Sequence, residues 1–224
     1  GPVKYIKNFS EPKTATLFQI NGGSLQFDLP DEIDGFPIVA VGAYSTRITG
    51  VAEFKCGNNL KSIGSQAFNH TSVSDLTIND KLKFIGRDAL IGRNMTRIDV
   101  SINNPNYSSE DGILYTKDFN TLHTIPPRYG RSVTLNEQTE VIREKAGFEN
   151  RLIETLILND KLLEIGDSAF EGCWVLNNVN LPLTLKSIGN RSFYKCPEIT
   201  DIEIGENLSD VGISFVNNEI FENI

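Results

Sequence analysis

Apolar residues recur along this chain in two registers that repeat together. One is a triplet of the form apolar, two residues, apolar, one residue, apolar: Val51/Phe54/Cys56, Val73/Leu76/Ile78, Met95/Ile98/Val100, Ile153/Leu156/Leu158, Leu176/Val179/Leu181 and Ile199/Ile202/Ile204. Alternation at its last two positions predicts a half-buried strand. The other register is Ile or Val followed by Gly, at Val41-Gly42, Ile63-Gly64 and Ile85-Gly86, then at Ile165-Gly166, Ile188-Gly189 and Val211-Gly212. The step is 22 residues early and 23 late. A fixed period of this size is the signature of a solenoid.

Each coil is therefore predicted to carry one short strand, and the strands to stack as a parallel ladder over a continuous apolar column. The Gly after Ile is read as opening a tight turn, and the pairs Ala67/Phe68 and Ala169/Phe170 as dropping back into the core. One coil cannot stand alone. About six buried side chains at roughly 1.5–3 kcal/mol each do not offset an ordering cost of about 1.5 kcal/mol per residue. Stability must come from the stack.

The runs Leu60 to Phe68 (LKSIGSQAF) and Leu162 to Cys173 (LLEIGDSAFEGC) resemble the BspA-like leucine-rich repeat, and the resemblance extends from about Leu25 to Phe215. It implies a leucine-rich repeat solenoid, a right-handed β/α superhelix with a parallel strand ladder on one face and short turns or helical turns on the other. It implies, too, a surface-exposed or secreted protein that adheres to host cells, matrix proteins or other microbes. A rival reading is an intracellular scaffold or recognition subunit. Two departures stand out: Ile142 is followed by Arg143 where the repeat has Gly, and only Asn59, Asn103 and Asn207 fall where many leucine-rich repeats bury an Asn.

Residues 3–24 fit no repeat, and Tyr5, Ile6, Phe9, Leu17 and Phe18 are expected to cap the first coil. Residues 25–224 are read as one solenoid domain. The period breaks once: strand positions Ile98/Val100 are followed by Val133/Leu135, a step of 35. The extra residues, within about 103–131, predict a β-hairpin standing off the solenoid, with Ile113-Leu114-Tyr115 and Leu122 to Ile125 as its strands. Such an insertion is either ordinary fabric of the repeat or a binding loop.

Composition narrows the function. The 224 residues carry a formal net charge of −8, which argues against nucleic acid and against adsorption to anionic lipid. No apolar run is long enough for a spanning helix. Gly1-Pro2 reads as the scar of a cleaved tag, placing the native start elsewhere. Of three cysteines, Cys173 and Cys196 fall at the same place in adjacent coils; they are neighbours close enough to be bonded, or small buried hydrophobes. Sequons at Asn8, Asn69, Asn94, Asn106, Asn190 and Asn207 fit glycosylation in a eukaryotic secretory route and mean nothing in a bacterium.

No enzyme signature survives inspection. His70 and His123 are the only histidines, with no GxSxG, HExxH, CxxC or P-loop around them. His123 reads as a hairpin filler. Carboxylates such as Glu154 with Asp201, or Asp75 with Glu203, sit on an open face with nothing to raise a pKa, and the aspartates lack calcium-loop spacing. The chain is read as a non-enzymatic protein-interaction module without cofactor or metal.

Its candidate site is the outward side of the strands. One column is Glu53, Asp75, Arg97, Ser132, Thr155, Asn178 and Asp201; the next is Lys55, Thr77, Asp99, Thr134, Ile157, Asn180 and Glu203. Tyr107, Tyr115, Phe119 and Tyr129 in the insertion are the residue types that anchor interfaces. The expected partner is a host or matrix protein, or another microbe's surface protein. The last coil, with Phe215, Val216, Ile220 and Phe221, suggests end-to-end self-association.

Overall fold

The computed structural model describes residues 3–22, 24–44 and 48–216, which form two compact units, 1–111 and 112–224. Unit 1 holds β1 (Val3–Asn8), β2 (Thr14–Asn21), β3 (Gln26–Asp28), β4 (Glu32–Ile33), β5 (Phe36–Val41), β6 (Ile48–Thr49), β7 (Glu53–Lys55), β8 (Ser62–Ile63), β9 (Asp75–Ile78), β10 (Phe84–Ile85), β11 (Arg97–Val100) and β12 (Tyr107–Glu110). Unit 2 holds β13 (Ile113–Thr116), β14 (Thr121–Thr124), β15 (Ser132–Thr134), β16 (Val141–Ile142), β17 (Thr155–Ile157), β18 (Glu164–Ile165), β19 (Asn178–Val179), β20 (Ser187–Ile188) and β21 (Asp210–Val211).

Each unit is a β-solenoid with two parallel ladders, one more than the period-2 signal predicts. The first ladder is the expected one, in the order β3-β7-β9-β11 in unit 1 and β15-β17-β19 in unit 2. The second forms at the Ile-Gly positions, as β5-β8-β10 in unit 1 and β14-β16-β18-β20-β21 in unit 2. Between the ladders the first two residues of every triplet are buried with Ala67/Phe68 and Ala169/Phe170, while the third is buried at Cys56 and Ile78, half-buried at Val100, Leu158 and Leu181 and exposed at Ile204. Rings stack from coil to coil, Phe170 on Phe193 at 5.4 Å and Phe54 edge-on to Phe68 at 5.3 Å.

The expected helical turns are absent: the described residues contain no helix, and the β/α superhelix is corrected to an all-β solenoid. The corner residue of each coil explains why. Gln66, Asp88, Lys145, Ser168 and Arg191 all adopt left-handed backbone, with φ of 52–57°, which interrupts a right-handed turn. Several of these corners send their N–H to the following coil: Gln66 to Arg87 O (3.0 Å), Lys145 to Asp167 O (3.0 Å), Ser168 to Asn190 O (2.8 Å) and Arg191 to Ile213 O (3.1 Å). Hydrogen bonds that would close a helix run between coils.

The Gly after Ile has a different task from the one expected. None of Gly64, Gly86, Gly166, Gly189 and Gly212 needs a left-handed φ; a Cβ at any of them would run into the backbone of the coil before it. At Gly166 it would lie 2.5 Å from Glu144 N and 2.8 Å from Arg143 C. Glycine here permits close stacking. Arg143 escapes the requirement because the chain stacked before it is the hairpin strand β14, paired in parallel with β16.

That pairing also corrects the insertion. β13 and β14 are antiparallel, as a hairpin should be. They do not stand off: β14 enters the second ladder, and Ile113, Leu114, Tyr115, Leu122 and Ile125 are buried. In unit 1, β2 pairs antiparallel with β1 and in parallel with β5. Of the residues expected to cap the first coil, Leu17 is buried, whereas Ile6, Phe9 and Phe18 are exposed.

The buried asparagines are also not the expected ones. Asn103 and Asn207 are exposed and Asn59 half-buried, while Asn79, Asn104 and Asn150 are buried. The required position lies three residues before Leu82 or Tyr107, where the side chain bridges two coils. Asn104 Nδ2 donates to the carbonyls of Asn79 (2.7 Å) and Leu82 (3.1 Å), and its Oδ1 accepts from the N–H groups of Asn106 (2.8 Å) and Tyr107 (2.9 Å).

Candidate functional site

The register of the first ladder fixes the outward columns. In unit 1, Gln26, Glu53, Asp75 and Arg97 lie side by side, as do Asp28, Lys55, Thr77 and Asp99. They line a groove of about 450 Å³. Glu53 Oε2 accepts from Gln26 Nε2 at 2.6 Å, and Arg97 Nε donates to Asp99 Oδ2 at 2.6 Å. Asp75 accepts from the hydroxyls of Ser74 (2.6 Å) and Thr96 (3.4 Å).

In unit 2 the columns are Ser132, Thr155 and Asn178, and Thr134 beside Ile157. These columns are uncharged, with Ile157 half exposed as their one apolar side chain, and the ion pair of Arg131 Nη1 with Glu154 Oε1 at 2.9 Å stands just before Ser132 and Thr155. Asn180 lies just past β19 and is exposed. Asp201 and Glu203 are exposed but belong to no strand, so the expected strand through Ile199, Ile202 and Ile204 does not form.

The insertion offers less than its aromatic content suggests. Tyr115 is wholly buried, packs on Phe119 at 5.5 Å and takes the N–H of Asn136 on its hydroxyl at 3.4 Å. It belongs to the core and presents no ring to a partner. Phe119 and Tyr129 are half-buried against the same core, and Tyr107 is half-buried in unit 1.

At the end of unit 2, Val211 and Ile213 are exposed, Phe215 is half-buried and Val216 is buried; Ile220 and Phe221 lie outside the described residues. The pattern reading missed a second groove, of about 400 Å³, running along the Ile-Gly ladder past Thr121, Arg143, Glu164 and Ser187. The glycine column that opens it was the available signal. It also missed the exposed Trp174 with Leu152 and Val175 nearby in the repeat.

His123 is placed as a structural group. Arg143 Nη1 lies 2.6 Å from His123 Nε2, and arginine can only donate. Nε2 is therefore the acceptor, and the proton sits on Nδ1, 2.8 Å from Thr124 Oγ1. Burial, with the neighbouring guanidinium, pushes the His123 pKa down to about 3. In the unfolded chain it lies near 6.5. Between these values the unfolded state binds the extra proton, so stability is full above about pH 6.5 and is lost as pH falls toward 3. Between pH 7 and 5 the protein is expected to lose about 2 kcal/mol that a His123→Gln variant keeps, from the slope of about 1.4 kcal/mol per pH unit. Urea unfolding of both proteins at the two pH values measures this.

All three cysteines are buried free thiols. Cys173 and Cys196 each donate to a carbonyl of the preceding coil, Gly147 O at 3.2 Å and Phe170 O at 3.1 Å. Desolvation raises the pKa of Cys173 well above the ordinary thiol value and that of Cys56 to about 12. Inert small hydrophobes fit these facts. Among the described residues, no group of three or more His, Cys, Asp or Glu is placed to hold a metal ion, and no helix is long and apolar enough to cross a membrane.

Solved structures similar to this chain are leucine-rich proteins and a vaccine antigen. The pneumococcal vaccine antigen PcpA superposes with a TM-score of 0.57 at 17% identity, over 95% of this chain and 76% of the antigen. A leucine-rich cell surface protein from Faecalibacterium prausnitzii matches over 100% of this chain and 97% of its own, with 13% identity and a TM-score of 0.49. A leucine-rich repeat protein of T. pallidum matches over 94% and 84%, with 17% identity and a TM-score of 0.42. No curated protein matches the chain. The BspA type leucine-rich repeat region matches residues 40–120 and 130–224 in six copies. With those copies falling on the coils built by the Ile-Gly and strand registers, the chain belongs to the BspA-type leucine-rich repeat family.

Proposed function

We propose that this chain is a non-enzymatic protein-interaction module of a surface-exposed or secreted protein, and that it binds through the outward columns of its first ladders. The observation that carries the reading is the register: polar side chains stand in line on strand after strand, with Phe54, Leu76, Ile98, Val133 and Leu156 of the same strands buried beneath them. Such a face binds by many modest polar contacts over an extended surface. The reaction chemistry of an enzyme has no comparable support, because the lone pair of His123 is already taken by Arg143. The family and its repeat architecture favour adhesion to host cells, matrix proteins or other microbes, outside the cell.

Two measurements test this. Labelling intact source cells with a membrane-impermeant biotin ester is expected to tag the protein; tagging only after lysis would overturn the external location and favour the intracellular scaffold. The isolated chain, fluorescently labelled, is expected to bind host cells or matrix-coated wells. Substituting Glu53, Asp75, Thr155 and Asn178 together by Lys should reduce that binding at least tenfold. Unchanged binding would remove the first ladders from the interface.

A further inference from the structure

We propose that unit 2 pairs with a second copy of this chain through the corner that precedes its first ladder, about a two-fold axis running along the coil of Trp174. The inference does not rest on the interaction reading above. Leu152, Trp174 and Val175 are exposed there, Trp174 by 51%. They stand directly before the buried Ile153 and Leu176; at the same places in unit 1, before Val51, Val73 and Met95, the chain has Thr49-Gly50, Thr71-Ser72 and Arg93-Asn94. A lone exposed apolar side chain is ordinary. An apolar group where sister coils are polar marks a surface made for contact. The register brings the group together. Three positions on, Thr155 pairs with Asn178, and three positions back, a Cβ at Gly172 would lie 3.3 Å from Glu149 Cγ. Leu152 and Val175 are therefore neighbours in adjacent coils, with Trp174 beside Arg151. On the other side Gly172 N donates to Tyr194 O at 2.9 Å and Phe170 stacks on Phe193 at 5.4 Å, which sets Pro197 and Glu198 next to Trp174 and Val175.

Charge identifies the occupant. Along the same three coils one column runs Glu149, Gly172, Lys195, acid at one end and base at the other, and beside it Arg151 and Glu198 stand at opposite ends, all four charged side chains exposed. Arg151 and Glu198 form no ion pair among the described residues. A two-fold axis along the middle coil lays the first coil of one copy on the third coil of the other. Glu149 then faces Lys195 of the second copy, Arg151 lies beside Glu198 of the second copy, and the two Trp174 rings meet at the centre. Each end of the patch carries the complement of the other, as a self-complementary interface requires. The other in-plane two-fold through Trp174, at right angles to the first, would set Arg151 against Arg151 and is disfavoured by like charge. The arrangement puts an aromatic centre inside a charged rim, the layout of an interface hot spot.

The test uses the full chain. Sedimentation equilibrium from about 5 to about 500 µM at low salt is expected to show the mass rising from 24.9 kDa to twice that, the range in which a small interface associates. Trp174 is the only tryptophan, so its emission is expected to move to shorter wavelength over the same range as the indole leaves water. Trp174→Ser should weaken pairing about tenfold or more, and Ile213→Ser, at the exposed end of the unit, should leave it within about twofold. Glu149→Lys and Lys195→Glu should each weaken self-association about tenfold or more. Mixing those two variants in equal amounts should restore pairing to within about threefold of the parent chain, because each then meets its complement at both ends of the patch. Thermal unfolding checks that every variant keeps its fold. A single mass at all concentrations, pairing that survives Trp174→Ser or is lost in Ile213→Ser, or a mixture that pairs no better than its components would overturn the proposal.

Discussion

Gly166→Ala is expected to destabilise the protein by about 3 kcal/mol or more, the range of an overpacked core with a displaced backbone. The added Cβ meets only main-chain atoms, Glu144 N at 2.5 Å, Arg143 C at 2.8 Å and Ile142 O at 3.0 Å. Backbone cannot swing aside as a side chain would. Relief requires the coils to separate, which stretches the bond from Gly166 N to Ile142 O, now 2.8 Å, and loosens the pairing of β18 with β16. Arg143→Ala is the matched control, because a Cβ is already accommodated there; it removes the bond to His123 and should cost about 1 kcal/mol. Urea unfolding followed by circular dichroism distinguishes the two. Similar small losses in both variants would show that coil spacing does not depend on glycine.

Asn104→Ala is expected to cost about 3 kcal/mol, since it takes the Nδ2 donor from the carbonyl of buried Asn79 and the Oδ1 acceptor from the N–H groups of half-buried Asn106 and Tyr107, at roughly 1–3 kcal/mol for each group left unsatisfied. The side chain serves two carbonyls and two N–H groups at once, and is itself fully buried. Asn103, its chain neighbour, is exposed, and Asn103→Ala should change stability by less than about 0.5 kcal/mol. The contrast between adjacent identical residues isolates the inter-coil bridge from any general preference for Asn in the turn. Equal effects would sink that account.

The first ladder was legible in the sequence because its strands alternate, and alternation is what a half-buried strand must show. The second was not, because strands such as β18 and β20 contain two residues each, too few for any period to appear. The left-handed corners were hidden for another reason. Gln66, Lys145, Ser168 and Arg191 share no side-chain chemistry, since the conformation is imposed by the bonds each backbone makes to the next coil. Tyr115 could be seen as an aromatic in an insertion, but its direction depends on where β14 pairs. The triplet at Ile199, Ile202 and Ile204 matches the others and still forms no strand. Of the six sequons, four owe their asparagine to architecture. Asn94, Asn106, Asn190 and Asn207 all use Nδ2, the atom a glycan would occupy, to bond the preceding coil.

The ladders tie residues that are one coil apart, and they hold that step constant within each stretch while the loops between them do not. Glu53 pairs with Asp75 across 22 residues, yet Gln26 pairs with Glu53 across 27. The five extra residues are taken up between β3 and β5, where β4 folds back on β5. A one-residue deletion inside a ladder strand would turn buried side chains outward in that coil, whereas a change of several residues between ladders leaves every column in line. For a chain of this kind, evolution and engineering alike can lengthen a loop or add a whole coil far more readily than they can alter a ladder strand by a single residue.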